Sequence, residues 1–328
     1  MNDELNSLMD KAIEIIKNSN NIYMASHVDP DGDNIGSLLS MKLSLKKIGK
    51  NVNIIKVDNI PGDFKFLPSV DSITDQPFDK NVDLFIALDS GDMERLGVAK
   101  DFALCANNII NIDHHKTNTK FGNINIIDSK VSSTGELVYL LLKRMKIDID
   151  EDIATCIYTA ISSDTGSFMY DSTSSKTHLI AAELLNTGMN MNKVVINLYQ
   201  NRSLEKTKLF IAALNKLEFF QEGKIGIVSI TQEMLKKSNA KMEDSEGIVS
   251  FLRDTEGVEV AVIMKEIKED EIKVSMRSKE YVDVSKICLL FSGGGHKRAA
   301  GCTIYDSLER SKSMILNEIY KPCRCRAP

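Results

Sequence analysis

Three short apolar runs constrain what this chain can fold into: Ile22-Tyr23-Met24-Ala25, Leu84-Phe85-Ile86-Ala87-Leu88 and Ile109-Ile110-Asn111-Ile112. Unbroken apolar character over so few residues suits strands buried on both faces, as in the centre of a parallel sheet. Each run ends in groups that ionise or bind metals. The first leads into Ser26-His27-Val28-Asp29-Pro30-Asp31-Gly32-Asp33, the second into Asp89-Ser90-Gly91-Asp92, and the third into Asp113-His114-His115. Helical patterns separate the runs at 36–48 and, less clearly, at 93–104. Strands alternating with helices predict an open α/β sheet, and ligands of such sheets sit at the C-terminal ends of the strands. Three distant clusters are therefore expected at one edge.

In the first cluster His27, Asp29, Asp31 and Asp33 fall at every second position, and Pro30 and Gly32 resist helix. An imidazole and three carboxylates packed this closely repel one another unless a cation lies between them. Mixed nitrogen and oxygen donors suit Mn²⁺, Zn²⁺ or Fe²⁺ better than Ca²⁺ or Mg²⁺. A solvated acidic turn explains the stretch equally well when it is taken alone. The other two clusters favour the cation. A helix over 35–45 would place Gly36 and Ser37 at its start, where backbone N–H groups can receive a phosphate oxygen.

Further strands are expected at 52–57 and 124–127, a loop over 58–80, and helices at 134–143, 152–162 and 177–185. Asp164 follows the second of these helices, before Gly166 as its C-cap; by itself it reads as a turn former. His178, at the start of the next helix, reads as structural.

A chain of 328 residues has room for two domains. The expected division is 1–188, a polar connector over 189–204 with one short helical piece, and 205–322. The second half predicts a helix over 206–219, strands at 225–230, 258–264 and 272–276, and a helix over 284–291. The third strand leads into Arg277-Ser278, and the last helix into a loop, Gly293-Gly294-Gly295-His296-Lys297-Arg298. Glycines allow close backbone approach to a ligand, and the basic residues supply charge for a phosphate. The bland alternative is a flexible loop with a basic end.

Net charge is −5, with the acidic excess in the first half, which argues against holding long duplex nucleic acid by phosphate neutralisation. No apolar run is long enough to span a membrane, and the acidic Met1-Asn2-Asp3-Glu4 start is unlike a secretory signal; a cytoplasmic protein is expected. The six cysteines, without a C-x-x-C pair, read as reduced thiols; Cys323 and Cys325 sit in a basic tail.

The ordered motifs His27-x3-Asp31-x-Asp33-x2-Gly36-Ser37, Asp89, Asp113-His114-His115 and Asp164 in Ser-Asp-Thr-Gly-Ser-Phe resemble those of the DHH phosphoesterases, and Gly293–His296 resembles their C-terminal associated domain. The resemblance covers about residues 20–320, and is greatest for the two-domain nanoRNase/pAp-phosphatase branch. It implies a parallel-sheet catalytic domain, a smaller α/β associated domain and an active site in the cleft between them. It implies two divalent cations, best matched by Mn²⁺: one held by His27, Asp31 and Asp89, the other by Asp33, Asp89, His114 and Asp164. His115 would act on the phosphate, with Asp113 orienting an imidazole. Arg277, Ser278, Gly293, Gly294, Gly295, His296 and Arg298 would hold the far end of the substrate. Asp29 is outside the family pattern and is expected to face solvent or to stand behind the ligands. The implied substrates are short RNA oligonucleotides and 3′-phosphoadenosine 5′-phosphate (pAp), and a homodimer is implied by resemblance alone. A phosphodiesterase for linear or cyclic di-adenylate and a catalytically silent nucleotide binder are the competing readings.

Overall fold

The structure, a computed structural model, describes residues 3–75 and 81–320. The chain divides into two compact units, Met1–Asn201 and Arg202–Pro328. The first unit runs α1 (Asp3–Asn18), β1 (Asn21–Ala25), α2 (Gly32–Lys47), β2 (Asn51–Ile55), β3 (Ile73–Thr74), β4 (Leu84–Leu88), α3 (Lys100–Cys105), β5 (Asn108–Asp113), β6 (Ile124–Ile127), α4 (Thr134–Arg144), α5 (Glu151–Asp164), α6 (Ser175–Leu185) and α7 (Met191–Tyr199).

Its sheet has the order β3-β2-β1-β4-β5-β6, with every pairing parallel. Strand β4 is apolar at all five positions and buried at all of them, because helices cover both faces. One face packs on α1, α2, α4 and α5 through Ile22, Met24, Leu84, Ile86, Ile110 and Ile112. The other carries Tyr23, Ala25, Phe85 and Ala87 against Leu96, Ala99 and Ala103. The strand order reverses between β1 and β4, where parallel α/β sheets open a crevice at their C-terminal edge.

Helix α2 begins at Gly32, earlier than expected, because Asp31 caps it by accepting the N–H of Asn34 at 3.0 Å. The expected loop over 58–80 contains two short 3-10 turns and β3; its residues 76–80 lie outside the described residues. Helix α5 runs on to Asp164, with Thr165 as its cap and Gly166 left-handed just beyond. The helix in the expected connector, α7, packs on the first unit, where its Val194 is fully buried.

The second unit contains α8 (Leu204–Leu214), β7 (Glu218–Phe220), β8 (Ile225–Ile230), α9 (Gln232–Ser238), α10 (Ile248–Arg253), β9 (Val260–Lys268), β10 (Glu271–Ser278), α11 (Val284–Leu289), β11 (Gly294–His296), β12 (Ala299–Ile304) and α12 (Leu308–Ile319). Its sheet order is β11-β12-β10-β9-β8-β7, antiparallel except for the β8–β9 pair. Two expectations are corrected. The helix expected over 206–219 stops at Leu214, and Glu218–Phe220 pairs with β8 as an edge strand. The glycine-rich stretch is a hairpin, with Gly294–His296 paired to Ala299–Gly301. Only glycine fits at 293, because a Cβ there would overlap the Gly301 carbonyl and lie 2.5 Å from Cys302 Cβ. Residues 321–328, including Cys323 and Cys325, lie outside the described residues. No described helix is long and apolar enough to cross a membrane.

Candidate metal centre

The parallel sheet delivers its acids and imidazoles by a common device: a strand ends and the next residues turn out at its C-terminal edge. His27 follows β1 by two residues, Asp89 follows β4 directly, and Asp113 is the last residue of β5. The β1–β4 register pairs Ala25 with Ala87, and β4–β5 pairs Leu88 with Ile112, so the three ends are level. Asp89 has a positive φ of 56°, costly for a residue with a Cβ, and its N–H donates to the Ile112 carbonyl at 2.9 Å.

Asp89 is the hub. His27 Nε2 lies 3.3 Å from Asp89 Oδ2, while His114 Nε2 and His115 Nδ1 each lie 3.7 Å from Asp89 Oδ1. His114 Nε2 also lies 3.0 Å from Asp164 Oδ2 and 3.7 Å from Asp33 Oδ2. The donor atoms fall into three groups, each within 4.8 Å: His27, Asp31 and Asp89; Asp33, His114 and Asp164; and Asp89, His114 and His115. The six residues expected to ligate cations are thus brought together from four separate segments. Asp29 is not among them: it is exposed, in a left-handed conformation. His178 stands apart, its ring stacked on Phe168 at 5.3 Å.

The donor set suits cations on physical grounds. Asp33 is completely buried, and burial, then the charges of Asp89, Asp164 and Asp31, push its carboxyl well above the usual carboxylate range. Burial and the crowding of like charges both disfavour the ionised carboxyl, and a cation among these oxygens would offset both. For His114, burial opposes the charged ring, but hydrogen bonding and attraction to Asp164, with Asp89 and Asp113 beyond, hold it up to about 9. The ring thus stands where a cation would satisfy the same oxygens. His27 Nδ1 lies 2.6 Å from the Val28 carbonyl, which can take only an N–H, so in the neutral ring Nε2 carries the lone pair that a metal needs.

Residues outside the expected ligand set hold it in place, and of these the sequence motifs mark only Ser37. Asp33 accepts the N–H groups of Thr134 at 2.6 Å and Gly135 at 2.8 Å, both in the first turn of α4, and the Ser37 hydroxyl at 3.1 Å. The Thr134 hydroxyl donates to Asp89 Oδ1 at 2.9 Å. Asn34 Nδ2 donates to the His27 carbonyl at 3.0 Å. The sequence marks that helix start only through Ser133, whose side chain caps α4. Nothing in it names Asp33 as partner.

Asp113 accepts the His114 N–H at 2.9 Å and lies 2.7 Å from His115 Nδ1. The hydrogen bond to Asp113 raises the His115 ring above its ordinary value against a burial cost, and the same contacts keep Asp113 below the usual carboxylate range despite its burial. In the second unit, Arg277 and Ser278 close β10. The Ser278 hydroxyl donates to the Val282 carbonyl at 2.6 Å, to which Arg298 also donates at 3.2 Å. His296 and Gly294–Gly295 are exposed on the hairpin.

A model described as the N-terminal domain of the DHH family matches residues 21–161, and one described as the DHHA1 domain matches residues 224–321. The chain is 34% identical over 303 residues to the bifunctional oligoribonuclease and PAP phosphatase NrnA of Thermus thermophilus, covering 92% of this chain and 87% of that protein. The chain belongs to the DHH family. A second relative of the same description, from Bacillus subtilis, is 27% identical over 92% of this chain and 95% of its own. A crystal structure of an exopolyphosphatase-related protein from Bacteroides fragilis superposes with a TM-score of 0.90 at 30% identity, covering 97% of both chains. As a DHH phosphoesterase the chain is a metal-dependent hydrolase.

Proposed function

We propose that this DHH enzyme is a two-metal phosphoesterase that releases 5′-mononucleotides from very short oligoribonucleotides and removes the 3′-phosphate of pAp. The observation that carries the reading is the convergence of His27, Asp31, Asp33, His114 and Asp164 around Asp89. The names of the similar proteins from Thermus thermophilus and Bacillus subtilis favour these substrates over di-adenylate. Every motif position retains a residue competent for the chemistry, which disfavours a silent binder.

His27, Asp31 and Asp89 would hold one cation, and Asp33, Asp89, His114 and Asp164 the other, with Asp89 shared; Mn²⁺ fits the mixed donors best. Such ions lower the pKa of water and offset charge on phosphoryl oxygens. His115 has a side chain 38% exposed, and its Nδ1 is engaged by Asp113. Its Nε2 is therefore the atom that faces a phosphoryl or leaving oxygen, and it carries a proton to donate when the ring, held up by Asp113, is protonated. In the second unit, Arg277, Gly294, Gly295, His296 and Arg298 would bind a terminal phosphate of the substrate, with the charge supplied by the guanidinium groups. Ser278 and Gly293, whose N–H groups donate to the Arg298 and Cys288 carbonyls, would shape the site without donating to it.

The test is Mn²⁺-dependent release of mononucleotide from a ribonucleotide dimer and of phosphate from pAp, run beside a 24-mer. Asp89→Ala should abolish metal binding and turnover together, and the 24-mer should be the poorest substrate. Metal-independent turnover, or full activity in Asp89→Ala, refutes the reading.

A further inference from the structure

We propose that Asn118 is a positioning residue for His115, acting through Asp113 to fix the imidazole that addresses the phosphate. The inference rests on the role given to His115 above.

Asp113 is fully buried, and its Oδ1 already serves the His114 N–H and His115 Nδ1. A carboxylate held at one oxygen still pivots about its Cβ–Cγ bond. The other oxygen, Oδ2, is taken by Asn118 Nδ2 at 2.6 Å. That amide cannot be turned over without loss, because Asn118 Oδ1 accepts the Lys120 N–H at 2.6 Å. Its NH₂ group must therefore face Asp113, and it does so in company: Asn111 Oδ1 lies at 2.8 Å and the Ser90 carbonyl at 3.2 Å. Asn111 is a fully buried polar residue in the middle of β5, and its own Nδ2 donates to the Ser90 carbonyl at 3.1 Å.

A buried asparagine in a central strand needs such partners to be tolerated. The network therefore runs from β5 and the end of β4 through Asn118 to Asp113 and on to the ring. The loop that bears Asn118 is pinned as well: the Asn118 N–H donates to the His115 carbonyl at 3.2 Å, and the Thr119 N–H to the Gly91 carbonyl at 2.8 Å. With both oxygens engaged, Asp113 has one orientation, and His115 presents Nδ1 to it and Nε2 outward.

The isosteric Asn118→Asp is the decisive variant, since it keeps the shape and sets a carboxylate oxygen against Asp113 Oδ2. Asn118→Ala leaves Asp113 Oδ2 without this donor, and Asn118→Ser restores a shorter one. In the manganese-loaded full chain acting on a ribonucleotide dimer, kcat should fall about 10- to 100-fold in Asn118→Asp, less in Asn118→Ala and least in Asn118→Ser. KM and the Mn²⁺ half-saturation should stay within about twofold, since Asn118 itself contacts none of the six residues assigned to the cations and no substrate. In the metal-free protein, the ¹⁵N resonances of the His115 ring should move in Asn118→Asp while those of His27 do not.

A role confined to pinning the loop would lower the melting temperature and leave kcat per folded molecule and the His115 resonances unchanged; that result overturns the proposal. If Asn118→Asp does not fold, Asn118→Ala decides in the same assays. Absence of turnover in the unaltered protein would count against the proposed function, and the ring resonances would still decide the role of Asn118.

Discussion

Gly36→Ala offers a test of how the helices set the metal centre, because two opposing effects give it a definite sign. Gly36 lies inside α2, three residues after Asp33, facing Cys156 and Ala160 of α5. In an exposed helix the exchange would stabilise by about 1 kcal/mol, since alanine loses less backbone entropy. Here the added methyl would overlap the Cys156 carbonyl oxygen and lie 3.0 Å from both Ala160 Cβ and Ala160 N. Comfortable carbon contacts begin near ~3.5 Å, so α2 and α5 must separate by about half an ångström or more. Backbone atoms have no rotamer into which to retreat, and overpacking of this kind costs about 1–3 kcal/mol. The overlap therefore takes the upper part of that range and outweighs the propensity gain, for a net loss of about 1–2 kcal/mol.

For a unit of this size each kcal/mol moves the melting temperature by about 2–4 °C, so a fall of about 2–8 °C is expected. The consequence for activity is larger than the consequence for stability. Asp33 rides on the first turn of α2 and Asp164 ends α5, so separating the helices pulls apart two groups of one candidate cation site. Misplacement on the ångström scale can cost about 100-fold in rate. Melting in chelator, together with Mn²⁺-dependent hydrolysis of a ribonucleotide dimer, reads both effects. Gly62→Ala, where an added methyl meets no atom within 4 Å, is the control. A Gly36→Ala protein that melts higher than wild type with unchanged kcat would refute the close-packing argument.

Two further outcomes are expected. Thr134→Val removes the hydroxyl that donates to buried Asp89, a charged hydrogen bond worth about 1.5–3 kcal/mol; calorimetric titration should show Mn²⁺ affinity lower by about 10- to 100-fold, and unchanged affinity would count against Asp89 as hub. In the metal-free protein, His114, held up to about 9 against ~6.5 when unfolded, adds stability that is whole below the unfolded value and is lost as pH rises through the folded one. The melting temperature in chelator should fall between pH 6.5 and 9, the slope should shrink in His114→Asn, and a flat profile in the unaltered protein would contradict the ionic contacts.

Much of the first unit is legible because its information is local. Continuous apolar runs such as Leu84–Leu88 specify central strands, and the clusters after them specify which edge carries the chemistry. The second unit is less legible at its margins. Glu218–Phe220 continues a helical composition and becomes a strand only because β8 offers an open edge, and Gly294–His296 has neither apolar alternation nor β-branched residues to mark it. Tertiary pairing overrode weak local preference there.

The sequence by itself determined the alternation of strand and helix and the chemical kinds gathered at the strand ends, because both follow from side-chain type and spacing. The tertiary structure alone decided that the Thr134 hydroxyl reaches Asp89, that the N–H groups of Thr134 and Gly135 hold Asp33, and that Asn118 faces Asp113. Backbone donors look the same at every residue, and a hydrogen bond spanning a hundred positions leaves no local pattern; only the folded chain selects which of them meet.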